Sequence, residues 1–188
     1  MKKVWILGIA VALLLAGCTL MPGDENAAVK VVNDFIKDMV AIRGKYGGEW
    51  GDENWQKAVE EIRGKLDDYI YFDESLSEQN VQGEGIEGAK DWVAEMIYGH
   101  IEMWNATETF TLKVDAILEN PTDVPTSLRD DVEAVASMTI ASGDATGEAY
   151  AVKVKGKWYV EAIGWDDNQI QFYPWGWVPE FYVGMESW

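Results

Sequence analysis

The chain contains only one cysteine, Cys18, and only one histidine, His100. A single cysteine excludes an intramolecular disulfide, and one histidine without a second thiol does not supply the ligand set of a zinc site. Basic residues are also few, because 15 lysines and arginines face 33 acidic residues and leave a net charge of −18. This charge repels phosphate backbones, so we expect no binding to nucleic acid.

The N-terminus has no apolar run of the roughly twenty residues that a transmembrane helix needs. Two lysines precede an uncharged stretch at residues 4–17, which is the pattern of a secretory signal. Leu15-Ala16-Gly17-Cys18 resembles the lipobox of bacterial-type lipoproteins. The resemblance implies cleavage before Cys18 and attachment of a diacylglyceryl group to its thiol. Two acyl chains are enough for stable membrane anchoring.

These features predict the organisation of the chain. Residues 1–17 are expected to be a lipoprotein signal peptide and residues 18–25 a lipidated tether. Loss of Lys2 and Lys3 with the signal changes the net charge from −18 to −20. Anionic lipid headgroups repel such a surface, so the anchor at Cys18 has to hold the domain at the membrane. The expected location is extracytoplasmic, on the outer face of the cell membrane or on its periplasmic side.

The remaining residues suffice for one domain, and their apolar periodicity predicts three helices followed by strands. We expect the helices at residues 26–43, 53–66 and 86–104, with a short strand at residues 68–73. The apolar residues then recur at every second position, which predicts strands at residues 109–118, 132–142, 148–155 and 158–165. In the first of these, alternation places one apolar face at Phe110, Leu112, Val114, Ala116 and Leu118. This order predicts an α+β fold in which three N-terminal helices pack on a curved antiparallel sheet.

The element order, the stretch GEGIEGAKDWVAEMI and the late hairpin ending in GKWYVEAI resemble the nuclear transport factor 2-like (SnoaL-like, cystatin-like cone) superfamily. The resemblance covers residues 26–165 and implies a cone of bent sheet with a pocket between the sheet and the helices. The superfamily includes ketosteroid isomerase, scytalone dehydratase and non-enzymatic lipoprotein domains, so it leaves catalysis open. Residues 166–188 depart from the pattern, and we expect them to pack on the domain as an aromatic extension.

Three residues are candidates for catalysis. His100 lies on the apolar side of the predicted third helix and could act as a general base, although a hydrogen-bonded core histidine is the favoured interpretation. Asp68 and Asp73 flank the predicted first strand, and isomerases of the resembled fold use a pocket aspartate as a base. Solvated strand-edge charges are the favoured interpretation of both. We therefore assign no catalytic residue. The stretches GDENW and WDDNQ do not fit a calcium loop, so no metal or cofactor is expected either.

Aromatic side chains supply most ligand-binding candidates, which are Tyr69, Tyr71, His100, Trp104, Trp158, Trp175 and Trp177. The tail, residues 172–188, could stack on sugars, contact a membrane interface or bind a partner. It could equally fold back and close the open end of the cone.

The favoured function is a membrane-anchored, non-catalytic module that binds a small hydrophobic ligand or an envelope protein, with homodimerisation left open. The alternatives are a SnoaL-like isomerase, dehydratase or hydrolase, and a binder of envelope polysaccharide through the C-terminal tryptophans.

Overall fold

The computed structural model describes residues 22–47, 51–72, 85–103, 110–119, 131–142, 145–165 and 168–171. Three helices come first, namely α1 (Pro22–Tyr46), α2 (Glu53–Tyr69) and α3 (Gly85–Met103). Five strands follow, namely β1 (Thr111–Glu119), β2 (Val132–Ser142), β3 (Ala145–Val154), β4 (Lys157–Trp165) and β5 (Asn168–Gln171). The strands form one antiparallel sheet in the order β1-β2-β3-β4-β5. The predicted α+β class, with three helices before an antiparallel sheet, is confirmed.

Local signals explain where the helices begin and end. Helix α2 begins after Asp52, whose carboxylate accepts a hydrogen bond of 2.6 Å from the backbone N–H of Trp55. Helix α1 ends at Gly47, which has a φ of 57° and donates its N–H to the carbonyl of Arg43. Glycine adopts this left-handed conformation without steric cost. Helix α1 begins at Pro22, inside the segment predicted as a tether.

The short strand predicted at residues 68–73 is wrong in the part that the structure describes. Helix α2 continues through Tyr69, and the N–H of Ile70 still donates to the carbonyl of Leu66 at 2.7 Å. Ile62, Leu66 and Ile70 follow one another at four-residue intervals and are all buried. The helix therefore extends three residues beyond the predicted end, and its last turn brings the C-cap residue Ile70 into the core.

The main core lies between the helices and one face of the sheet. Helix α1 packs against α2 and α3 and contacts strands β1 to β4. Its side chains in this core are almost wholly buried, as are the facing residues of β2. The largest fully buried side chains are Phe35, Ile36, Met39, Ile62, Leu66, Ile97, Tyr98, Met138, Ile140 and Ile163.

Strand β2 confirms the predicted alternation. Its residues Ala134, Ala136, Met138 and Ile140 are all buried in the main core. Four valines form a second buried cluster, and the partly buried rings of Tyr71 and Tyr159 pack against it. The valines are Val132, Val135, Val152 and Val154.

Strand β1 departs from the predicted alternation at a β-bulge. Val114 pairs with Met138 and Ala116 pairs with Ser137, which leaves Asp115 as an extra residue. An extra residue inverts the face of every later side chain in the strand. Ile117 consequently packs against the main core, whereas Leu118 is 45% exposed. The prediction that Ala116 and Leu118 share the core face is therefore wrong.

The bulge predicts that truncating the adjacent residues Ile117 and Leu118 lowers the free energy of unfolding by different amounts. We expect Ile117→Ala to lower the free energy of unfolding by about 1–2 kcal/mol, because it removes partly buried apolar surface. Leu118→Ala is the matched control and should cost less than about 0.5 kcal/mol. Urea denaturation of both variants measures the difference. A larger loss for Leu118→Ala would contradict the bulged register.

Candidate functional site

Strand β4 contains a carboxylate at a second β-bulge. Tyr150 of β3 pairs with Ala162, and the next residue, Ala151, pairs with Val160. Glu161 is therefore the extra residue of β4. The strand lies inside the sheet, between β3 and β5. Bulges often occur next to functional sites because they redirect a side chain out of the regular pleat.

Glu161 is a buried acid in apolar surroundings. It is only 4% exposed, and its neighbours Val160 and Ala162 are also buried. Burial raises the pKa of Glu161 well above its ordinary value, because removal from water disfavours the charged form of a carboxyl group. Such an acid can hold its proton at neutral pH and donate a hydrogen bond.

A second carboxylate, Asp38, joins α1 to the end of α2. The Lys65 Nζ and the Tyr69 hydroxyl each donate to its Oδ2 over 2.7 Å. Burial raises the pKa of Asp38, but the two hydrogen bonds outweigh it and leave the pKa below its ordinary value. Burial and the same hydrogen bond raise the pKa of Tyr69. Both groups therefore help to hold the two helices together.

A third carboxylate, Asp24, ties the first turn of α1 to the hairpin formed by β3 and β4. Its Oδ1 lies 3.1 Å from the Lys153 Nζ and 3.3 Å from the Trp158 Nε1, and both donate to it. The hydrogen bond from Lys153, followed by that from Trp158, lowers the pKa of Asp24. Trp158 is 5% exposed and belongs to the main core. Its indole thus serves the helix–sheet junction.

Two tyrosines and two lysines lie beside the second buried cluster, near the turn between β3 and β4. The rings of Tyr71 and Tyr159 lie 5.5 Å apart. The Lys155 Nζ is 5.9 Å from the centre of the Tyr71 ring, and the Lys157 Nζ is 4.7 Å from that of Tyr159. Cations over aromatic faces at such distances are attracted to the ring electrons.

Three of the predicted ligand-binding residues lie in the described part of the chain, and they belong to two different clusters. Tyr69 and Trp158 contact the main core, whereas Tyr71 packs against the second cluster. Asp68 is exposed on the last turn of α2, so the solvated interpretation of this catalytic candidate fits its position. Several other candidates, and the side chain of His100, lie outside the described residues. These candidates are Cys18, Asp73, Trp104, Trp175 and Trp177.

The described part of the chain contains no group of three or more histidine, cysteine, aspartate or glutamate side chains that could hold a metal ion. None of the helices α1–α3 combines the length and the apolarity required to cross a membrane.

Comparisons with known proteins add no family. No protein-family model matches the sequence, and neither a curated protein nor a solved structure is significantly similar to it. The function must therefore be inferred from the residues and their arrangement in this fold.

Glu161 is the functional candidate that sequence reasoning missed. A signal was present, because Glu161 is the only charged residue within WYVEAIGW, residues 158–165. Simple alternation of buried apolar and exposed polar residues along a strand predicts that a glutamate faces solvent. The bulge and the burial become visible only in the paired sheet.

We predict that Glu161→Gln changes the pH dependence of stability. The unfolded chain releases this proton near the ordinary glutamate pKa, whereas the folded chain holds it to higher pH. The contribution of the protonated group is therefore complete below the ordinary pKa and is lost as the pH rises through the raised one. Relative to Glu161→Gln, the wild type should lose up to about 1.4 kcal/mol per pH unit in this window.

Chemical denaturation across pH 4–8 measures this difference. Glu119→Gln is the matched control, because Glu119 is an exposed glutamate on β1. The control should leave the pH dependence of the wild type unchanged. Parallel stability profiles for the wild type and Glu161→Gln would contradict a buried, protonated Glu161.

Proposed function

We propose that this protein is a lipid-anchored, extracytoplasmic lipoprotein whose α+β domain acts as a non-catalytic binding or interaction module. The observation that carries the proposal is the lone Cys18 at the end of Leu15-Ala16-Gly17-Cys18, after a positive and then apolar N-terminus. A thiol in this position is where a diacylglyceryl group is attached in proteins with a lipobox. Uniqueness of the cysteine supports the same role, since the thiol has no partner for a disulfide.

The arrangement of the fold is compatible with attachment at this point. Helix α1 begins at Pro22, four residues after Cys18. An extended chain of this length spans at most about 14 Å, so the anchored domain would lie close to the lipid surface. Asp24 then fastens the same end of α1 to the sheet. In this proposal the nuclear transport factor 2-like cone describes the domain, with the helices covering one face of a curved sheet.

A second candidate function is a SnoaL-like enzyme, and the buried Glu161 favours it. Small-molecule sites are largely apolar and contain a few well-placed polar groups. A protonated carboxyl in such a site can orient a ligand by a hydrogen bond or donate its proton as a general acid. The substrate class would be a small hydrophobic molecule with an oxygen or nitrogen acceptor, consistent with an isomerase, a dehydratase or a hydrolase.

A third candidate, binding of envelope polysaccharide, depends on Trp175 and Trp177. Both residues lie outside the described part of the chain, so this function rests on the composition of residues 172–188 alone. Flat aromatic rings stack on sugar faces, and the tail has the composition that such a surface needs.

The anchor predicts that Cys18→Ser releases the protein from the membrane. We expect the wild type to fractionate with membranes and to carry the mass of a diacylglyceryl group, because its two acyl chains insert into the bilayer. The variant should lack that mass. Intact-mass spectrometry of both proteins measures it, and Thr19→Ser is the control for a neighbouring hydroxyl change. A wild-type chain without lipid mass would contradict the proposal.

Native mass spectrometry separates the binding and enzymatic functions. We expect the Cys18→Ser chain to retain a small molecule, and Glu161→Gln to lower its occupancy more than Glu119→Gln does. A ligand that is recovered unchanged supports binding. Conversion of the ligand by the wild type, with loss of turnover in Glu161→Gln, would replace binding by catalysis. The absence of any bound molecule would contradict both small-molecule functions and leave protein interaction.

A further inference from the structure

The turn between β3 and β4 is basic within a strongly acidic chain. Residues 149–160 contain three lysines and no aspartate or glutamate, although the whole chain has a net charge of −18. Lys155 and Lys157 flank Gly156 at the turn, and all three residues are exposed. The segment therefore brings two exposed cations to one end of the sheet, where Glu133 accepts a hydrogen bond of 2.8 Å from the Gly156 N–H.

The same turn lies at the anchored end of the domain. Lys153, two residues before Lys155, binds Asp24 in the first turn of α1 at 3.1 Å. Pro22 begins that helix, and at most about 14 Å of extended chain separates it from Cys18. The opposite end of β3 lies about 30 Å from the turn, since a strand rises about 3.4 Å per residue. The position of the anchor therefore favours this end of the sheet, and not the opposite one, as the end nearer to the membrane.

The existing contacts of the two lysines leave them able to exchange partners. The Lys155 Nζ lies 3.2 Å from a carboxylate oxygen of Asp131, and the Lys155 side chain is 62% exposed. Exposed ion pairs contribute little stability, so a competing anion can replace such a partner. The Lys157 Nζ donates to the backbone carbonyl of Asp67 over 3.3 Å and also lies over the Tyr159 ring.

The border of this turn has the composition of a membrane interface. Tyr71 and Tyr159 are partly buried, and they stand beside the two lysines. Tyrosine is enriched where a protein meets lipid headgroups, and lysine is attracted to their phosphates. Asp131 beside Lys155 and Glu133 at Gly156 keep the attraction modest. The anchor therefore has to supply the affinity, and the turn supplies the orientation.

We propose that, in the anchored protein, the turn between β3 and β4 faces the membrane and that Lys157 contacts lipid phosphate groups. This inference rests on the lipid anchor of the proposed function. One end of the sheet then contacts the bilayer, and the opposite ends of β2 and β3 point away from the bilayer.

Fluorescence quenching on vesicles tests the orientation. Because Cys18 is the only cysteine and is lipidated in the proposal, Lys155→Cys adds the only free thiol to the full chain. Thr146→Cys is the matched control, because Thr146 is exposed at the other end of the same strand. Each variant is labelled with bimane and placed in vesicles of phosphatidylcholine and phosphatidylglycerol that carry a nitroxide on the headgroup.

We expect quenching at residue 155 to exceed quenching at residue 146 by about twofold or more, because the strand separates the two labels by about 30 Å. Equal quenching, or stronger quenching at residue 146, overturns the orientation. A chain that lacks lipid mass and does not bind the vesicles overturns the anchor and the orientation together. A lipidated chain with equal quenching overturns the orientation alone.

A charge reversal tests the role of lysine. In the Lys155→Cys chain, Lys157→Glu should remove about half of the quenching in the anionic vesicles, because it replaces an attraction to phosphate by a repulsion. Lys113→Glu is the control with the same charge change, and the Lys113 side chain is 82% exposed on β1. Circular dichroism verifies that each variant is folded. Equal losses in the two variants would contradict a contact between Lys157 and lipid phosphate.

Discussion

The burial of α1 is the contact on which the rest of the structure depends. This helix packs against both other helices and against four strands of the sheet. Its apolar stripe, which includes Phe35, Ile36 and Met39, is wholly buried. Without α1 the inner face of the sheet and the apolar sides of α2 and α3 would have no common partner. Each of these elements is amphipathic, so each needs such a surface to be stable in water.

The strong negative charge of the chain imposes a second constraint. Charge repulsion opposes the compact state, and some of the few basic residues pair with carboxylates between the helices. Lys45 pairs with Glu61, and Lys65 pairs with Asp38, which joins α1 to α2. Arg63 pairs with Glu87 and Asp91 and thereby joins α2 to α3. Each exposed pair contributes little by itself, but together they neutralise acidic residues at the helix junctions.

In the proposed function, the start of α1 and the middle of β4 have different roles. Asp24, Lys153 and Trp158 unite the start of α1 with the β3–β4 hairpin, so the anchor and the basic turn come to the same end. Glu161 lies elsewhere on β4, at a bulge in the interior of the sheet. A buried acid lowers stability at neutral pH, and residues of this kind are more frequent at functional sites than in ordinary cores. Anchoring and ligand recognition are thus assigned to separate places.

Periodicity in the sequence was sufficient to predict the α+β class, the three helices and the core face of β2. Those features depend on residues that are close along the chain, because a helix or a strand buries its apolar positions at a regular interval. The lipobox-like pattern is local in the same sense, and it leads to a predicted anchor without any knowledge of the fold.

Tertiary structure decided the features that depend on partners distant in sequence. Pairing between strands created the bulges at Asp115 and Glu161, which inverted the face of Leu118 and buried a carboxylate that alternation places in solvent. Packing on the core extended α2 to Tyr69 where the aromatic composition favoured a strand. The sequence determines which residues are apolar, but only the assembled sheet and helices determine which of them are buried. Strand register and side-chain contacts depend on two segments of the chain at once.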